Sequence, residues 1–177
     1  KRLQRQPQPL TPTVAEAAPS TTLAVLLEWA ATHGHAKLAT LGNSYVAESL
    51  LDTTLALPGP TGERNTLSFA ARGKMLCIAT SVPALLNQLA AVLATGNTAV
   101  VDAATAQYLP AGLPEMVRQQ VIVSDQPGTL ALHLALVDAP ACVQWRAQLA
   151  ARDGALVPLI VTTDDAPIAL WRLVAER

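Results

Sequence analysis

The chain has 177 residues, of which 51% are hydrophobic and 14% charged, with twelve Lys and Arg against thirteen Asp and Glu. That length suits one ordinary domain with an appendage, and the apolar share excludes disorder for the bulk of it. A net charge of −1 excludes a general attraction to nucleic acid or anionic lipid. The best apolar run, Leu130 to Val137, falls far short of the ~18 residues that span a bilayer.

Residues 1–19 are rich in Gln, Pro and Thr without periodicity and read as a linker, with Lys1, Arg2 and Arg5 in a solvated tail. This start has no apolar stretch of the secretory kind, and the missing initiator Met points to an excised segment. Helical spacing begins after Ser20, with Leu23, Leu26, Leu27 and Ala30 on one face. Gly34 interrupts it, and a second helical pattern runs through Leu38, Leu41, Tyr45 and Val46. Together they predict a helical hairpin over 20–57. Pro58, Gly59, Pro60 and Gly62 then forbid helix and central strand, which sets a domain boundary and leaves 58–177 as a second unit.

Short apolar runs follow at Met75–Ala79, Thr98–Asp102, Val121–Val123, Ala131–Val137 and Leu156–Thr162. Helical patterns at Ala84–Ala94, Pro114–Gln119 and Cys142–Ala151 lie between several of them. Strands alternating with helices predict an α/β fold with an open, mostly parallel sheet, preceded by the hairpin. The pattern Ala84–Ala94 carries no charge, so it is either wrapped on both sides or pressed against a partner. Leu85 and Leu89 are therefore candidate interface residues, together with the polar loop Glu63, Arg64 and Asn65. Glu63 and Arg64 could equally brace their own loop.

Motifs for chemistry are sparse. The turn after Ile78 reads Ala79-Thr80-Ser81-Val82-Pro83, without the glycines that let a backbone approach a pyrophosphate. His33 and His35 flank Gly34 at a spacing that does not favour zinc, and they read as exposed loop residues. His133, inside an apolar run, reads as a hydrogen-bonded core or interface histidine. Cys77 and Cys142 lack C-x-x-C spacing and read as two buried thiols in a reducing compartment. Asp164-Asp165 follows a predicted strand and reads as a turn or cap. No catalytic, cofactor or metal residue is assigned.

One segment is more specific. Leu57-Pro58-Gly59-Pro60-Thr61-Gly62-Glu63-Arg64-Asn65-Thr66 resembles a stretch near the C-terminus of the PutA family, the bifunctional proline-catabolic flavoenzymes of bacteria. The likeness continues through Leu27–Ala30, Met75–Ala79, Gln88–Ala94 and Leu149–Gly154, and covers about 20–177. The resemblance implies a parent in which an FAD-binding proline dehydrogenase is joined to an NAD-dependent glutamate-semialdehyde dehydrogenase. It further implies that this segment is a C-terminal domain like a second aldehyde dehydrogenase Rossmann domain.

Leu89 to Val101 resembles the helix, Ala-Gly-Asn-Thr turn and valine-rich strand of aldehyde dehydrogenases, with Gly96 placed to end the helix. At the positions that carry function in that family the chain departs from it. Asp102-Ala103-Ala104-Thr105 replaces Lys-Pro-x-Glu, and Thr80-Ser81-Val82 replaces Pro-Trp-Asn. Val137-Asp138-Ala139-Pro140 replaces the Thr-Gly-Ser turn, and Leu159–Thr162 lacks the glutamate base. The expectation is a non-catalytic domain, without its own cofactor, covering the dehydrogenase domain and the intermediate-channelling cavity of a cytoplasmic enzyme that is at most peripheral at the inner membrane. Its partners would be other domains of the same polypeptide, with no nucleic acid contact and no transmembrane segment. A diverged NAD-binding domain and a homodimerisation module are the alternatives.

Overall fold

A computed structural model of the chain describes residues 12–13 and 20–177. Strand β1 (Pro12–Thr13) precedes helices α1 (Thr21–Thr32) and α2 (Ala36–Glu48), then strands β2 (Thr54–Leu57), β3 (Asn65–Ala71) and β4 (Lys74–Ile78). Helix α3 (Val82–Ala94), strand β5 (Thr98–Asp102), the short helices α4 (Ala103–Ala106) and α5 (Glu115–Arg118) and strand β6 (Val121–Ser124) follow. Strand β7 (Leu132–Asp138), helix α6 (Cys142–Ala150), strand β8 (Leu159–Thr162) and strand β9 (Val174–Glu176) complete the order.

The apolar runs pair as a five-stranded parallel sheet in the order β6-β5-β4-β7-β8. The chain starts in the centre, works outward to one edge, then crosses back and works outward to the other. This is the doubly wound arrangement with a switch point between β4 and β7. Alternation along β4 divides the core in two. Met75 and Cys77 face α1, α2 and α3, while Leu76 and Ile78 face Trp145 and Leu149 of α6.

Helix α3 starts where Ser81 Oγ accepts the Ala84 amide at 3.3 Å and Pro83 occupies the first turn. It ends at Thr95, where Gly96 takes a φ of +67° that other residues adopt only with strain. Asn97 then ties three segments together. Its side chain accepts the Gly73 amide (2.8 Å) and donates to Thr95 Oγ1 (2.8 Å) and Leu173 O (2.9 Å).

The described part of residues 1–19 includes β1, which pairs antiparallel with β2; the rest of that expected linker lies outside the described residues. The boundary expected after residue 57 is instead the turn of a β-hairpin. Strands β2 and β3 pair from Thr54↔Ser68 to Leu57↔Asn65, and β9 adds to β3 in a second, antiparallel sheet. Helices α1 and α2 share one core with α3 and the parallel sheet, through Leu23, Leu26, Trp29 and Tyr45. The prolines and glycines of 58–62 thus mark a turn within the fold, because that hairpin is anchored by a C-terminal strand more than a hundred residues away.

Candidate functional site

In an open α/β sheet a ligand enters at the carboxyl ends of the strands, at the switch point. All four segments in which the chain departs from the aldehyde dehydrogenase pattern gather there. Thr80 follows β4, Asp102 ends β5, Asp138 ends β7 and Thr162 ends β8. Asp138 is 7% exposed, and its carboxylate reaches across the crevice. Oδ2 accepts both the Thr80 hydroxyl and the Thr80 amide (3.3 Å), and Oδ1 accepts the Ala139 amide (3.0 Å). The crevice between β4 and β7 is bolted by this chain's own side chains.

The donors that would hold an anion at the start of α3 are largely committed. Pro83 has no amide hydrogen, Ala84 donates to Ser81 Oγ and Leu85 donates to Ser81 O (3.1 Å). At the end of β5, Asp102 Oδ1 caps α4 through the Thr105 amide (2.7 Å), and buried Thr105 Oγ1 accepts the Ala79 amide (3.4 Å). Under the strand ends, fully buried Gln88 donates through Nε2 to Ile78 O (2.9 Å) and Thr162 Oγ1 (2.8 Å). Asn87 donates to Thr163 O and Ala166 O and accepts the Tyr45 hydroxyl at 2.7 Å. These bonds fasten the segment after β8 over the sheet edge.

Leu85 and Leu89 have no exposed surface: α1, α2 and the parallel sheet cover them within the chain. The cover that a charge-free helix demands is internal, so those two residues offer no interface. Glu63, Arg64 and Asn65 are all exposed at the β2–β3 turn, where the Glu63 amide closes on Pro60 O at 3.1 Å. Of the two groups only Leu85 is bonded to a crevice segment, through its backbone amide to Ser81 O.

Cys77 is fully buried, and desolvation pushes its thiol well above the ordinary range, so it is no nucleophile. Cys142 is half-buried at the start of α6 rather than sealed in the core. His33 and His35 lie in the loop between α1 and α2, His33 exposed as expected and His35 half-buried, and both stack on Trp29 with ring centroids 4.8 and 5.2 Å away. His133, expected in a core or interface, is exposed at the start of β7. Asp165 belongs to a turn, where Oδ1 accepts the Thr163 hydroxyl at 3.0 Å. The bolt between Asp138 and Thr80 escaped sequence reasoning. Its only signal was an Asp-Ala-Pro turn following an apolar strand.

No family profile matches the chain. Curated proteins do, several of them along nearly its whole length. The bifunctional protein PutA of Klebsiella aerogenes is 35% identical over 161 residues, covering 88% of this chain. That of Escherichia coli strain K12 is 35% identical over 168 residues, covering 92%. The chain is a PutA-related segment. It spans only 12% and 13% of the length of those two PutA proteins. Among solved structures, an NAD-dependent benzaldehyde dehydrogenase from Corynebacterium glutamicum superposes with a TM-score of 0.57. It covers 82% of this chain and 42% of that one at 14% identity, which shows a shared aldehyde dehydrogenase fold. No helix among the described residues is long and apolar enough to cross a membrane.

Proposed function

We propose that this segment is a non-catalytic C-terminal domain of a PutA-type proline-catabolic enzyme. Its work is to cover the aldehyde dehydrogenase domain and the cavity through which the reactive intermediate passes between two active sites. The observation that carries the reading is the bolt between Asp138 and Thr80. Asp138 stands at the switch point, where open α/β folds take a dinucleotide pyrophosphate, and its carboxylate would meet that anion with like charge. The residues present do not fit a nicotinamide dinucleotide. What remains of the fold is a rigid body whose strand ends are tied together by Gln88, Asn87 and Thr105. A rigid cover excludes water from an intermediate in transit without taking part in the chemistry.

The surface offered to the rest of the polypeptide includes the exposed turn Glu63, Arg64 and Asn65. The cofactors, FAD and NAD, and the cytoplasmic placement belong to the parent enzyme in this reading. Deleting the segment from the intact enzyme tests it. Time courses of NADH production from proline should acquire a lag, while the separate proline dehydrogenase activity persists. An unchanged, lag-free time course overturns the covering role. Saturable NAD binding by the 177-residue chain overturns the loss of the nucleotide site.

A further inference from the structure

Beside the bolted crevice, a separate cavity of about 120 Å³ opens between the starts of α2 and α3 and the segment after β8. It lies at the same edge of the parallel sheet, where open α/β folds place ligands. Its walls are Leu38, Leu41, Pro83 and Leu86, and it carries one charge of each sign, Lys37 and Asp164. Lys37 stands in the first turn of α2, whose N-cap residue His35 makes no side-chain capping bond. A positive side chain and a positive helix end therefore share one side of the cavity. Asp164 is exposed on the opposite, β8 side of the cavity, and the neighbouring Thr163 hydroxyl is taken by Asp165.

We propose that this cavity binds a small zwitterionic amino acid with an aliphatic side chain. The ligand carboxylate lies toward Lys37 and the start of α2, the ammonium toward Asp164, and the side chain against the leucines. The two charged residues of such a site, Lys37 and Asp164, take no part in the bolt or in the bonds that tie the strand ends, so it can be tested apart from the covering role. His35 also lines the cavity and stacks on Trp29, so occupancy is readable in tryptophan emission.

The test titrates the 177-residue chain with L-valine and with two analogues that each keep one charge, 3-methylbutanoate and 2-methylpropylamine. L-valine should saturate in the millimolar range, the scale open to so small a ligand. Each analogue should bind about threefold to fivefold more weakly, the worth of one partly solvated charge pair. Lys37→Met should weaken L-valine and 3-methylbutanoate but not the amine, and Asp164→Asn should weaken L-valine and the amine but not the acid. Both side chains are exposed, so neither variant threatens the fold. Lack of saturation by L-valine, equal binding of all three probes, or indifference to both substitutions each overturns the proposal.

Discussion

Tyr45 links the helical hairpin to the sheet edge through one oxygen. Its hydroxyl donates to Asn87 Oδ1 at 2.7 Å and accepts the Ile168 amide at 2.8 Å, with no surface exposed. Burial pushes its phenol up to about 12, against the Ile168 bond, which lowers it, and with a smaller upward push from the Glu48 charge. The folded chain thus holds the neutral phenol where the unfolded chain ionises near pH 10. Stability from this group is whole below about pH 10 and is lost as pH rises from there toward about 12. Tyr45→Phe should cost about 1–3 kcal/mol near neutrality, because it orphans the Asn87 carbonyl and the Ile168 amide. The gap between the urea midpoints of Tyr45→Phe and the parent chain should narrow above pH 10; a constant gap would contradict the assignment.

At the scale of elements, α1 and α2 approach so closely that Gly42 has no room for a side chain. A Cβ there would stand 2.0 Å from Leu27 Cδ2 and within 3 Å of two more Leu27 atoms. Gly42→Ala should therefore destabilise by about 1–3 kcal/mol through overpacking, against the gain of ~1 kcal/mol that alanine brings to an open helix. Chemical denaturation decides the sign. Elsewhere a missing element is replaced by a clamp. The segment from β6 to β7 passes over β5 and β4 as a short stretch with a single 3₁₀ turn, not as a helix. Arg152 fastens it by donating from Nε to Gly128 O (3.1 Å) and from Nη2 to Leu130 O (3.0 Å).

The parallel strands were legible in the sequence because each is a β-branched or aliphatic run, buried on both faces in the central β4, β5 and β7 and on one face only at the edges, where Val123 and Val161 are exposed. Strands β2, β3 and β9 were not, since the burial of all three is partial and the β9 partner of β3 lies more than a hundred residues along the chain. The crevice positions could be located through the family resemblance. That Asp138 crosses to Thr80 is a contact over 58 residues, and no local pattern encodes it.

At the scale of the molecule, the low charge content has an inward explanation. Every residue of α3 from Ala84 to Ala94 is buried, between the hairpin on one side and the parallel sheet on the other. Because α1 and α2 complete that core, they should not unfold apart from the sheet. Urea unfolding followed by far-ultraviolet dichroism and by tryptophan emission should give coincident single transitions. Two separated transitions would restore the boundary after residue 57 that the turn residues first imply.

The knot at Asn97 also bears on how the protein is made. Its bond to Leu173 spans 76 residues, the Tyr45–Ile168 bond 123, and the Ser68–Arg177 pairing 109. A nascent chain emerging from the ribosome cannot close any of these until residues 168–177 are free. The hairpin and α3, though synthesised early, must wait with apolar faces uncovered while the sheet is translated, and residues 168–177 set the moment at which the fold can lock.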